Sequence, residues 1–111
     1  MAPRTPTAAT ARRPRGRQIP RSFELMGHVV VVEVVPPARW VHGEDAIGIF
    51  EPQRMRIEIV GGLSHSAEAH TYWHEATHAM LYVLSSEHYS NEALVDQLGG
   101  LIHQIISTWR A

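Results

Sequence analysis

The apolar pattern of the chain changes period once, at Gly61-Gly62, and that change limits the fold more than any other feature. Before it, apolar residues run unbroken or recur at every second position, which is the spacing of strands. After it they recur every three or four, which is the spacing of helices. A block of strands followed by a block of helices predicts an α+β domain, with a small antiparallel sheet packed on two helices. At 111 residues there is room for one such domain and a limited core.

Within the first block, "HVVVVEVV" (His28 to Val35) is a β-branched run closed by Pro36-Pro37 and reads as an inner strand covered on both faces. "AIGIF", a turn at "EPQR" and "MRIEIV" read as a hairpin, because Met55, Ile57 and Ile59 alternate with Arg56 and Glu58. In the second block, Ser64 or Ser66 caps a helix that runs to about Leu84. Its stripe of Trp73, Ala76, Thr77, Met80, Leu81 and Leu84 is expected to face the sheet. A second helix is predicted from about Asn91 to Trp109, with Gly99-Gly100 inside it permitting close approach of another helix.

The formal charge of −1 hides an uneven distribution. Six of the ten basic residues, all Arg, precede Phe23, where there is no acid; from Phe23 onward four Arg face eleven Asp and Glu. Residues 1–22 are poor in large apolar side chains and are expected to form a disordered basic tail, leaving 23–111 as the folded domain. The acidic domain gives no sign of a nucleic-acid surface. No apolar run is long enough for a membrane span, and the basic start is not followed by the apolar stretch of a secretory signal, so a soluble, cytoplasmic protein is expected. With no cysteine, any bound metal must be held by nitrogen and oxygen.

Residues 73–80, "WHEATHAM", contain His74-Glu75-Ala76-Thr77-His78. Four residues apart on a helix, the two imidazoles project from one face and can share a zinc ion. Glu75 falls beside that ion rather than on it, where a carboxylate can take a proton from water at the metal. Thirteen residues past His78 the second helix opens with "NEALVD", which places Glu92 in its first turn as a third ligand from a separate element. Asp96, one turn on, can accept the second ring N–H of a ligand histidine. His70 is too far along the helix to join His74 and His78 on one ion and is expected to line the cleft or face solvent. His88 and Tyr89, in the inter-helix loop, are candidates to stabilise an oxyanion. His103 can approach the site by helical spacing, and Tyr82 is expected to be partly buried packing.

His74-Glu75-Ala76-Thr77-His78 followed by Asn91-Glu92-Ala93-Leu94-Val95-Asp96 resembles the zinc signature of the gluzincin metallopeptidases, whose thermolysin-like members pair His-Glu-x-x-His with Asn-Glu-x-x-x-Asp. The order of strand, hairpin, motif helix and second helix also resembles small phage- and prophage-encoded zinc metallopeptidase-like proteins, distant relatives of the ImmA/IrrE type, over most of residues 24–109. The resemblance implies that His74, His78 and Glu92 bind Zn2+, that Glu75 is the general base and that Asp96 orients a ligand, His74. The 111 residues are far fewer than a thermolysin-like enzyme has, and they are not expected to include the downstream domain that walls the cleft there and supplies an oxyanion-stabilising side chain.

These readings converge on a zincin-like two-helix metal site backed by a small sheet, with zinc-dependent hydrolysis of a peptide or protein substrate as the expected activity. The alternative is a non-catalytic zinc-binding accessory or interaction protein of phage type. Two imidazoles and a carboxylate also suit iron, cobalt or manganese.

Overall fold

The computed structural model describes residues 19–111. Strands β1 (Ser22–Leu25), β2 (His28–Val35), β3 (Gly48–Glu51) and β4 (Arg56–Val60) are followed by helices α1 (His65–Val83) and α2 (Glu92–Thr108). The expected α+β class is borne out, as is the β3-β4 hairpin. The sheet, however, is mixed rather than antiparallel throughout. Its order is β1-β2-β4-β3, and the central pair β2/β4 runs parallel, with Val32 opposite Ile57 and Val34 opposite Ile59. The physical reason lies in the two strands of the hairpin. β4 carries Ile57 and Ile59, both fully buried, and takes the inner place; β3, with Gly48 and Pro52 at its ends, takes the edge.

β2 is an inner strand as expected, but its outer face is covered only toward its end, where Val35 is buried. Val30 and Val32 point into the core, whereas Val29 and Val31 are exposed on the outer face of the sheet. Farther across that face, Arg56 bridges Glu33 and Glu58, and Glu58 is paired at 2.8 Å with His42 from the β2–β3 connection. The hairpin from β1 to β2 turns on Met26 (φ 50°) and Gly27 (φ 88°), the two positive angles that a two-residue turn between twisted strands requires.

The inner face of the sheet packs on α1 through small side chains. Ala69, Tyr72, Ala76 and Ala79 are buried against it, and Tyr72 meets Phe23 edge-on at 5.9 Å. The stripe read from the sequence is therefore displaced. Leu84 is exposed, while Thr77 faces α2, where a side chain at Gly99 would touch both it and the Trp73 carbonyl. Alanines bring the helix close to the sheet, and Trp73 and Met80, both in the expected stripe, pack partly buried against the same core. Ser64 caps α1 by accepting the Ala67 N–H, and Asn91 caps α2 by accepting the Leu94 N–H.

The fold begins earlier than Phe23. Ile19 is 6% exposed within the core, the Arg21 carbonyl accepts the Val32 N–H, and Ser22 opens β1. Residues 19–22 thus belong to the domain, and the remainder of the expected tail, residues 1–18, lies outside the described residues. Ile19→Ala should lower stability by roughly 2–4 kcal/mol, as truncation of a buried aliphatic does. An unchanged denaturation midpoint would show that Ile19 does not pack as the core places it.

Candidate metal centre

The connection between α1 and α2 is short, so the helices lie side by side in opposite directions and the first turns of α2 face the middle of α1. Gly99 sets how closely they approach. A Cβ there would lie 2.9 Å from the Trp73 carbonyl oxygen and 3.1 Å from Thr77 Oγ1, so glycine is required for this contact. The approach brings Glu92, in the first turn of α2, across from His74 and His78. One donor atom from each of the three lies within 4.8 Å of the others, and together they can hold a divalent metal ion.

The hydrogen bonds around the pair decide which ring nitrogens are available. His78 Nδ1 is 2.8 Å from the Tyr89 carbonyl oxygen, which can only accept, so Nδ1 carries the hydrogen. His74 Nδ1 likewise donates to Asp96 Oδ1 at 3.1 Å. Both Nε2 atoms then point at Glu92, His74 at 3.0 Å from Oε1 and His78 at 3.2 Å from Oε2. In neutral imidazoles these are lone pairs facing carboxylate oxygens, an arrangement that repels unless a cation lies between them. Ligand atoms in a tetrahedral site with metal bonds of about 2.0–2.1 Å are separated by roughly 3.3 Å, and the two nitrogen–carboxylate separations, 3.0 and 3.2 Å to the two oxygens of Glu92, are close to that. The donor set therefore fits a divalent cation. His78 is buried, His74 partly so, and Glu92 is open to solvent.

Glu75 is next to the ligands in sequence but points elsewhere. It is 8% exposed, between α1 and β3, where the Phe50 backbone N–H donates to it. Burial pushes its carboxyl above the ordinary value and Glu92 adds to this, while His74, His78 and the Phe50 N–H oppose the shift. Gly48 makes the location possible, since a Cβ there would lie 2.4 Å from Thr71 Cγ2 and 3.3 Å from Glu75 Cγ. The cluster opens into a cleft of about 590 Å³, walled on one side by residues 45–50 and on the other by α1, Tyr89 and the start of α2.

Among the remaining expected site residues, Asp96 takes a second bond, from His70 Nε2 at 3.2 Å, and its carboxyl is held below the ordinary range chiefly by its bond to His74 and then by that to His70. His70 lines the cleft but is not one of the three converging donors. His103 approaches His70, ring to ring at 6.4 Å, and is not part of the cluster. Tyr89 lines the cleft and packs on His78 and Tyr82, and burial raises its phenol. His88 does not line the cleft; its exposed ring is nearest Glu87, at 3.7 Å. Tyr82, expected to be partly buried, is 42% exposed, with its ring against Phe50 and Tyr89.

Sequence reasoning missed the two backbone groups of the site, the Tyr89 carbonyl and the Phe50 N–H. It also missed Gly48, for which a signal existed, because an isolated glycine within a strand marks close approach of another element.

No family model, curated protein or solved structure matches the chain. The resemblance to gluzincins and small phage-type metallopeptidases thus stands on its own residues, and the geometry of the His-His-Glu cluster is an independent observation.

Replacing His74, His78 or Glu92 by Ala should abolish binding of one equivalent of metal, measured by elemental analysis and chelator competition, whereas His70→Ala should retain it. Asp96→Asn should weaken affinity by roughly ten- to a hundredfold. Equal loss of metal in His70→Ala and His78→Ala would overturn the ligand set. Gly99→Ala should force the helices apart, lowering stability by about 1–3 kcal/mol and weakening metal binding together; a variant that keeps full affinity would show that the Gly99 contact does not position Glu92.

Proposed function

We propose that the protein is a zinc-dependent metallopeptidase of gluzincin-like design, in which Glu75 is the general base. The observation that carries this reading is the position of Glu75: buried beside the cluster, outside the ligand set, and facing the cleft. A site that held metal for stability alone would have no use for a buried carboxylate there.

A divalent ion in this set supplies Lewis acidity, polarising a carbonyl and making water a better nucleophile. The protein does the rest. His74 and His78 present Nε2 because the Asp96 carboxylate and the Tyr89 carbonyl hold Nδ1–H in place. Glu75, made more basic by burial, takes a proton from attacking water and returns it to the departing amine nitrogen as the C–N bond breaks; the carboxylic acid formed then gives its proton to the amine, which leaves a carboxylate and a protonated amine as products. Edge strand β3 has β4 as its strand neighbour and borders the cleft along Gly48 to Phe50, so its outer edge suits an extended peptide. Tyr89, which lines the cleft and whose phenol is raised by burial, is the candidate donor to charge developing on the carbonyl oxygen.

Glu75→Gln keeps the shape but removes the base. It should retain one equivalent of zinc and lose hydrolysis by roughly 10²–10⁴ in kcat, measured on a peptide library with zinc-loaded protein. If Glu75→Gln cleaves as fast as wild type, the base is misassigned. If zinc-loaded wild type cleaves nothing across a broad library, the protein is the non-catalytic zinc-binding alternative.

A further inference from the structure

Four carboxylates line the cleft, those of Asp45, Glu75, Glu92 and Asp96, with no Lys or Arg among the described residues. Three of the four are engaged. Glu92 faces both imidazoles, Asp96 accepts from His74 and His70, and Glu75 takes the Phe50 N–H. Asp45, exposed in the turn before β3, forms no hydrogen bond or ion pair within the described residues. A divalent ion held by His74, His78 and Glu92 would offset two of the four negative charges. The charge of Asp45, at one end of the wall, is the one that no neighbour takes up.

The hydrogen bonding of β3 says where that charge lies relative to a peptide. The Ile47 carbonyl accepts the Val60 N–H, so Ile47 and, by antiparallel alternation, Ile49 and Glu51 direct their backbone groups toward β4. Gly48 and Phe50 direct theirs outward. Because Glu75 already accepts the Phe50 N–H, both groups of Gly48 and the Phe50 carbonyl are left for an added strand. A peptide residue paired with Gly48 would lie beside the base, since a Cβ at Gly48 would be 3.4 Å from Glu75 Oε2. Asp45 is three residues before Gly48, a span of at most about 11 Å. It is thus in reach of a side chain two or three residues from the bond that Glu75 serves.

The group that suits this position is a cation on a long side chain. Arg or Lys can reach a carboxylate at the end of a cleft while its methylenes lie along Ala46 and Ile47, which line the same wall. An acidic side chain would meet like charge, and a neutral one would leave Asp45 to water.

We infer that Asp45 sets the substrate preference of this cleft, which takes peptides carrying Arg or Lys two or three residues from the cleaved bond. The inference rests on the reading of the cleft as a peptidase site. Since Asp45 is exposed, the ion pair contributes a few-fold preference and not orders of magnitude.

Short peptides of one apolar sequence, with Arg, Gln or Glu placed at each position in turn, test this on the zinc-loaded full chain. Binding is read by fluorescence anisotropy and cleavage as kcat/KM. Wild type should favour Arg over Gln by roughly three- to tenfold at a position two or three residues from the bond, and less so as salt is raised. Asp45→Asn should bring the Arg-to-Gln ratio near one, and Asp45→Arg should invert the preference toward Glu at that position. Each ratio is taken within one protein, so partial loss of zinc or of folded protein cancels. Equal treatment of Arg and Gln by wild type, or an Arg preference that survives both substitutions, would overturn the assignment and leave the peptidase reading intact. Arg-selective binding that depends on Asp45, with no peptide cleaved, would overturn the peptidase reading and keep Asp45 as the recognition residue. A protein that neither binds nor cleaves the peptides overturns both.

Discussion

The Nδ1 hydrogens of His74 and His78 are both committed, one to the Asp96 carboxylate and one to the Tyr89 carbonyl, and the character of the site follows from that commitment. With those protons fixed, each ring has a single free nitrogen, and both free nitrogens face Glu92. A cation held between them would relieve the repulsion between those lone pairs and the carboxylate and make the cluster a ligand set. Metal and protons thus compete for the same atoms, and metal affinity must fall as the solution becomes acidic. The two acceptors that enforce this come from different elements, α2 and the loop before it, so the ligand geometry depends on how α2 docks.

That docking depends on close approach at two glycines on opposite sides of α1. Gly99 admits α2 on one side, and Gly48 admits β3 on the other. α1 therefore presents three working surfaces: alanines toward the sheet, Thr77 toward α2, and His74, Glu75 and His78 along the cleft between. A bulkier side chain at either glycine would change the width of the cleft and the position of a catalytic candidate together. In a domain this small, the packing that stabilises the fold and the packing that builds the site are largely the same contacts.

Those parts of the molecule governed by helical spacing were legible in advance. His74, His78, Glu92 and Asp96 meet because four-residue steps return to one helix face, and because the Asn91 cap fixes where α2 begins. Strand order was not legible, since a period of two says which way side chains point and nothing about which strand is the neighbour. Hence the parallel β2/β4 pair was unforeseen. β1 was overlooked because its turn, Met26-Gly27, lacks the usual asparagine or aspartate at the first positive-φ position. Ile19 was missed as a single apolar residue among arginines and prolines, where composition outweighs any one side chain. The Phe50 N–H and the Tyr89 carbonyl could not be singled out, because every residue carries such groups and only the fold selects which are used.

Glu75 shows how stability and function diverge at this site. A carboxyl group nearly removed from water, with a backbone N–H as a donor and, among the described residues, no Lys or Arg lining the cleft, costs the folded state free energy, as its raised proton affinity records. An apolar side chain in that position would pack against Gly48 and Thr71 without the cost. An ion held by ligands from α1 and α2 acts in the other direction, since it ties together two helices across a short loop and stabilises the folded state alone. A buried carboxylate that weakens the fold, beside a cluster that could hold a metal ion, is the combination on which the proposed general-base role of Glu75 rests.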